Sequence, residues 1–267
     1  MNISVIIPTY RPQGYLWQCL DSLVAQTLDK ECFEVILVLN GCKAPWYEDI
    51  QDYIAKQNHH IVLLHTEQPG VSNARNMALD VARGEYIMFV DDDDYLSPSY
   101  LEELLSVASP THLVLSNSIA IDESLSPIAS VYEQSYRRLS QQGNMPFQRA
   151  RKFFSGPWMK LIHRDMIGSR RFDIQFKNGE DALFMFLISD RFQTVSFTSP
   201  KAIYYRRMRT GGAHMMSFSQ TWCNAMRLMR AYSSIYWKHP REYSFRFYFT
   251  RLLGAIHQII DSITKTK

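Results

Sequence analysis

Cysteine is scarce and poorly spaced for a structural job. The 267 residues include four: Cys19, Cys32, Cys42 and Cys223. None forms a CxxC pair, so neither a zinc site nor a disulfide framework is encoded, and a reducing cytosol suits the chain best. A strong basic excess is also missing. Net charge is +3, and no nucleic-acid partner is expected. No run of about 18 apolar residues is present, so no membrane-spanning helix is expected. The chain starts on a strand-like run, Ile3 to Ile7, with no charged segment leading into an apolar one, so no signal peptide is expected. Repeats and low-complexity tracts are absent. What remains is a globular composition, 46% apolar and 21% charged, long enough for one large core or for one domain with an appendage.

Short apolar runs rich in β-branched residues occur at 3–7, 34–39, 61–64, 86–90 and 113–116. They are nearly continuous in hydrophobicity, as strands covered on both faces should be. Helical patterns lie between them. Leu16, Cys19, Leu20, Leu23 and Val24 share one face, and so do Val71, Ala74, Ala78 and Val81, with Gly84 as the expected C-cap. This alternation predicts an α/β fold with a parallel sheet. Residues 117–150 are polar without a clear period and read as a loop or an excursion over the sheet.

In open parallel sheets, ligands bind beyond the carboxyl ends of the strands. The first strand is followed by Pro8-Thr9-Tyr10-Arg11 and the second by Asn40-Gly41. The third is followed by Gln68-Pro69-Gly70 and a helix with Arg75 and Asn76, the fourth by Asp91-Asp92-Asp93-Asp94. All four sets should line one edge. Four adjacent carboxylates repel, and a hard divalent cation, Mn²⁺ or Mg²⁺, would relieve that repulsion. On a strand-like tip Asp91 and Asp93 would point the same way. The blander reading, that the aspartates only start the next helix, competes with Ser97-Pro98, which already supplies a helix start. A haloacid-dehalogenase-type phosphatase motif would need Thr or Val where Tyr95 stands. An EF-hand loop would need a Gly at its sixth position.

In order along the chain, these residues resemble family 2 glycosyltransferases of the GT-A fold. Val5-Ile6-Ile7-Pro8-Thr9-Tyr10 resembles the opening strand motif, and Gly70 to Asn76 the GxxxARN segment. Gly84 to Asp94 resembles the segment that carries the metal-binding DxD. Trp158-Met159-Lys160-Leu161 resembles the W-x-K-L segment, Gly179-Glu180-Asp181 the GED segment, and Tyr204-Tyr205-Arg206 the closing strand. The resemblance covers roughly residues 1–212. It implies a Rossmann-like, mostly parallel sheet flanked by helices. Residues 213–267 lie beyond it and read as a C-terminal helical, basic and aromatic extension.

It also implies inverting transfer from a nucleotide-sugar donor, commonly a UDP-sugar, to a hydroxyl of a saccharide or lipid-linked saccharide, as in polysaccharide or cell-envelope synthesis. By this match Asp181 is the general base, and Glu180 orients the site or contacts the acceptor. Thr9 and Tyr10 border the nucleotide, with Arg75 near its base or phosphates. Asp92 faces a ribose hydroxyl. Asp93 is the first metal ligand and Asp91 the second, and His214 closes over the metal from a loop. Lys160, Arg206 or Arg207 neutralises diphosphate charge. Each has a plainer role open to it: Tyr10 in packing, Lys160 in a surface ion pair, Arg206 and Arg207 as solvated strand residues, His214 as a loop histidine, Glu180 and Asp181 at a helix start. Where the family commonly has Asp, in D-G-S, this chain has Asn40-Gly41-Cys42. Asn can accept a bond from a base ring without the charge. That departure leaves open a non-catalytic sugar-nucleotide binder or scaffold on the same fold.

From Trp222 to Arg251 the chain carries six Lys or Arg against one acid, Glu242, with aromatic residues interleaved. Phe249, Leu252, Leu253, Ile256, Ile259, Ile260 and Ile263 then form a helical stripe. Such a tail either lies on an anionic membrane surface, giving a cytoplasmic protein peripheral at the inner face, or packs on the sheet or on a second copy in a homodimer.

Overall fold

Every residue from Ile3 to Thr9 is buried, and so is every residue from Phe33 to Asn40, because helices cover both faces of these strands. The computed structural model describes residues 1–209 and 217–264. The first half runs β1 (Ile3–Thr9), α1 (Gly14–Val24), β2 (Phe33–Asn40), α2 (Trp46–Ala55), β3 (Ile61–Thr66), α3 (Val71–Val81) and β4 (Tyr86–Phe89). There follow β5 (Tyr95–Leu96), α4 (Tyr100–Ser106), β6 (His112–Leu115), β7 (Asn117–Ile121), β8 (Pro127–Ile128), α5 (Val131–Leu139) and β9 (Met145–Pro146). The last part holds β10 (Lys160–His163), α6 (Arg164–Ile167), α7 (Glu180–Leu187), β11 (Thr194–Phe197), β12 (Ile203–Arg207), α8 (Phe218–Lys238) and α9 (Phe245–Thr264).

Eight strands form one sheet in the order β3-β2-β1-β4-β10-β6-β11-β9, and β5-β12-β7-β8 form a second. In the large sheet β1 to β4 pair in parallel, as does β6 with β11, while β10 and β9 run antiparallel to their neighbours. The expected mostly parallel sheet is therefore present, and all five expected strands lie in it.

Three local expectations need correction. Residues 117–150 are not one loop: they contain β7, β8, α5 and β9. Strand β7 pairs with β12, from Asn117 opposite Ile203 onward, so its stabilising partner lies far along the chain and leaves no local period. Gly84 is not a helix cap. Helix α3 ends at Val81 with Ala82 as its cap. At Gly84 a Cβ would lie 2.4 Å from the Ser4 backbone nitrogen, so glycine is needed for a close approach of two backbones. Ser97 does not cap α4, whose N-cap is Ser99. Its hydroxyl instead donates to Lys201 O at 2.9 Å and accepts the Ile203 N–H at 3.0 Å, tying the acidic turn's exit to β12.

Helices α8 and α9 pair, and their inner faces join the main core. Leu228 packs on Gly179, and Tyr232, Tyr243, Phe247 and Tyr248 surround Phe186. Among the described residues, no helix is long and apolar enough to cross a membrane.

Candidate active site

The ends of β1, β2 and β3 are laced together before any charge is considered. Asn40 is buried at the end of β2. Its amide Nδ2 donates to Thr9 O at 2.7 Å, and its Oδ1 accepts the Gly70 N–H at 2.9 Å. A carbonyl can only accept and an N–H can only donate, so these partners fix the amide's orientation. Gly41 has a φ of +103°, and a Cβ there would come within 2.7 Å of the Tyr10 ring. Tyr10 thus packs over Gly41 and is still 46% exposed. Thr9 Oγ1 donates to Asp92 Oδ2 at 2.5 Å, which joins this edge to the acidic turn.

The four aspartates form a turn closed by Asp94 N–H on Asp91 O at 3.1 Å. They are not an extended tip, and each carboxylate has its own partner. Asp91 Oδ1 accepts from Arg75 Nη2 at 2.9 Å. Asp93 Oδ2 pairs with Arg209 Nε at 2.7 Å. Asp94 is buried and accepts the Arg207 N–H at 2.8 Å and the Tyr204 hydroxyl. That hydroxyl in turn accepts the Asp91 N–H at 3.2 Å, so Tyr204 holds both ends of the turn. Burial pushes the Asp92 carboxyl up to about 7, against the Thr9 bond that lowers it. Burial and then Asp91 raise Asp93; burial, Asp91 and Asp93 raise Asp94 well above the usual carboxylate range. The turn therefore concentrates negative charge that its surroundings only partly offset.

Arg75 connects this turn to α7. It is buried, and its Nη1 donates to Asp181 Oδ1 at 2.5 Å while Nη2 holds Asp91. The guanidinium lies over the Phe172 ring at 5.3 Å. Asn76 clamps that phenylalanine by donating to its carbonyl at 2.9 Å and accepting its N–H at 2.8 Å. Asp181 and Glu180 open α7 behind Gly179, which adopts a left-handed φ of +84°. Burial raises Asp181, opposed first by Arg75. Burial and then Asp181 push Glu180 up to about 7, and its Oε2 is buried without a partner.

The remaining sequence-predicted residues divide. Lys160 is fully buried. Its ammonium donates to Gly156 O at 2.7 Å and Trp158 O at 3.0 Å, and burial lowers it to about 7. It is neither in a surface ion pair nor exposed toward a diphosphate. Arg206 lies over Trp158 at 5.1 Å and Tyr132 at 5.9 Å, half-buried rather than solvated. Arg207 donates to Asp93 O and Gln18 Oε1 as well as to Asp94. His214 lies outside the described residues. Sequence reasoning missed Arg209, Tyr15 and Gln18. Arg209 continues the basic run after β12, which was a usable signal. Tyr15, whose hydroxyl accepts from Arg209 at 3.1 Å, and Gln18 are on α1 and carried none. Among the described residues, no three His, Cys, Asp or Glu side chains are grouped so as to hold a metal by themselves.

Comparison with known proteins adds a family to this geometry. The family model described as Glycosyl transferase family 2 matches residues 4–174. EpsH of Bacillus subtilis (strain 168), named as a glycosyltransferase, is 30% identical over 210 residues, which are 76% of this chain and 60% of that protein. The poly(ribitol-phosphate) β-N-acetylglucosaminyltransferase TarS of Staphylococcus aureus (strain MW2) is 27% identical over 219 residues, 81% of this chain and 37% of TarS. The chain thus spans less than two thirds of either relative. The crystal structure of S. aureus TarS 1-349 in complex with UDP-GlcNAc has a TM-score of 0.74 at 22% identity, covering 98% of this chain and 73% of that one. At that identity the likeness speaks for the fold, which is GT-A with a C-terminal helical part.

Proposed function

The chain belongs to glycosyl transferase family 2, and from that premise we propose that it transfers a sugar, with inversion, from a UDP-sugar to a hydroxyl of a saccharide or lipid-linked saccharide. The observation that carries this reading is Arg75, bonded at once to Asp181 and to Asp91, which lie 106 and 16 residues away from it in the chain. A carboxylate able to take a proton thus stands beside a second group of carboxylates, which supports a diphosphate site where a cation offsets the charge. The UDP-GlcNAc complex of TarS supports the donor class, and the poly(ribitol-phosphate) acceptor in the name of TarS supports a polymer acceptor.

In this reading Asp181 is the base. Its Oδ1 is occupied by Arg75, so Oδ2 takes the proton of the acceptor hydroxyl as that oxygen bonds to the anomeric carbon. The bond from that carbon to the donor phosphate breaks, and its electron pair leaves on the diphosphate. Arg75 favours the ionised form of Asp181 against the burial that raises its pKa. Glu180 is the neighbour that orients this end. Thr9, Tyr10 and Asn40 border the nucleotide, with Asp92 at the ribose. Arg206 and Arg209 are the cations assigned to the diphosphate. Lys160, held by two carbonyls, supports the Gly156–Trp158 segment next to Asp181.

Asp93 and Asp91 are the residues that would hold Mn²⁺ or Mg²⁺. When bound, such a cation supplies Lewis-acid neutralisation of the leaving diphosphate. The donor set fits: two carboxylates plus donor phosphate oxygens suit a hard cation, which needs no third protein ligand. Burial and Asp91 hold the Asp93 carboxyl up, a tension that positive charge relieves and that Arg209 now partly offsets. The non-catalytic reading loses its one hint, because Asn40 serves the framework and an Asp could not donate to Thr9 O.

Asp181→Asn tests the base. Turnover should fall about 10²- to 10⁴-fold while calorimetric UDP binding persists; undiminished turnover would remove Asp181 from that role. The cation assignment is read from Asp93→Ala, which should lose the Mn²⁺-dependent part of UDP affinity. Equal wild-type affinity with and without Mn²⁺ counts against it.

A further inference from the structure

The apolar stripe of α9 divides once the helix is seen in place. Ala255 and Ile259 turn inward, at 4% and 8% exposure, against Ala225 and Met229 of α8. Phe249, Leu253, Ile256, Ile260 and Ile263 recur every three or four residues on a second line and are 40–51% exposed. Trp237, near the end of α8, is 67% exposed. It meets Tyr236 at 5.2 Å, and Tyr236 meets Phe245 at 5.9 Å, so the exposed faces of the two helices adjoin at that end. A shallow depression of about 420 Å³ lies along α8, lined by Met226, Met229, Arg230, Ser233, Ser234 and Trp237.

Charge selects the occupant. Residues 217–267 hold eight Lys or Arg against two Asp or Glu, whereas the rest of the chain holds 21 against 24. Helix α8 has no acidic residue at all. A second copy seated on this face by two-fold symmetry would bring basic residues against basic residues. An anionic surface is complementary, and exposed Trp and Phe beside Arg suit a lipid interface. We propose that the outward face of the α8–α9 hairpin docks in the plane of a membrane rich in anionic lipid, with Phe249, Leu253, Ile256 and Ile260 entering the acyl boundary and Arg230 and Arg246 at the headgroups. The inner side of the same hairpin holds the start of α7: Leu228 packs on Gly179, and Asn224 Nδ2 donates to Asn178 O at 3.1 Å. Docking therefore anchors the end of the fold that carries Asp181, although the surface itself does not rest on the transferase reading.

The experiment is sedimentation of the full chain with vesicles of phosphatidylcholine alone or containing about a third phosphatidylglycerol. The chain should bind the anionic vesicles at least about tenfold more tightly, and this preference should shrink as salt is raised. Leu253→Gln with Ile260→Gln should weaken that binding at least about tenfold without changing Tm, since both side chains are exposed. Arg230→Glu with Arg246→Glu should weaken it by a similar factor. The proposal is overturned if anionic vesicles are not bound, or if both variants bind as the parent does. It is also overturned if the Leu253/Ile260 variant only dissolves a dimer seen by analytical ultracentrifugation. Transfer to a soluble acceptor is measured alongside and should be unchanged in both variants, so a failure here is read separately from a failure of the transferase assignment.

Discussion

Two buried arginines, one in the candidate site and one on the C-terminal hairpin, behave in opposite ways. Arg75 lies between Asp91 and Asp181, and those carboxylates raise its pKa against the burial that would lower it. Arg251 on α9 is held by the Phe154 carbonyl and lies over the Phe247 ring at 4.5 Å, and burial lowers its pKa. Burial alone therefore does not mark a site in this protein. The first arginine joins two charged groups from distant parts of the chain. The second fastens a helix to an aromatic core. The edge at the strand ends is a set of short polar contacts, whereas the hairpin is aromatic inside and carries basic and apolar residues outside.

This contrast makes Arg75→Met the most damaging substitution. It leaves Asp91 and Asp181 without their partner, and breaking a buried pair costs about 3–5 kcal/mol. Because Arg75 lowers the Asp181 pKa, the surviving activity should show its acid limb at higher pH than the parent, as read from kcat/KM profiles. A variant with parental stability and an unmoved limb would dissolve the distinction between the two arginines. Asn40→Asp comes next. It removes the donor to Thr9 O and sets a carboxylate against that carbonyl, an expected loss of about 1–3 kcal/mol in chemical denaturation, with UDP affinity falling as the β1 end loosens.

Glu180→Gln should have a smaller effect, confined to a pH window. The Glu180 carboxyl is raised to about 7 from 4.5, so between those values the folded chain keeps a proton that the unfolded chain releases. Stability should therefore fall as pH rises through that window. The variant should show less loss of Tm between pH 5 and pH 8 than the parent, on the order of a few degrees. Arg251→Met should matter least: an apolar chain of similar length replaces a charge that has no carboxylate, and stability should stay within about 1 kcal/mol. A large loss there would show that the carbonyl and ring contacts count as much as an ion pair.

The strands β1 to β4 and β6 were legible because each is a contiguous apolar run, and the site residues at their ends followed in order. The 117–150 region was not legible, since β7 is stabilised by β12 and α5 buries only Ser135, Tyr136 and Leu139 beneath a polar face. Asp181 was legible as part of a motif, but its bond to Arg75 was not, because the two are 106 residues apart. Lys160 shows the same limit. Its place in the motif suggested a diphosphate contact, and its burial against two carbonyls could not be read from the sequence.

The order of elements and the chemistry at each strand end were settled locally in the chain, since strand and helix periodicity and turn residues act over a few positions. Folding in three dimensions settled the rest: which carboxylate meets which arginine, how far burial raises Asp92 and Glu180, and which line of the α9 stripe stays outside. Those depend on separation in space and on desolvation, to which residues far apart in the chain contribute together.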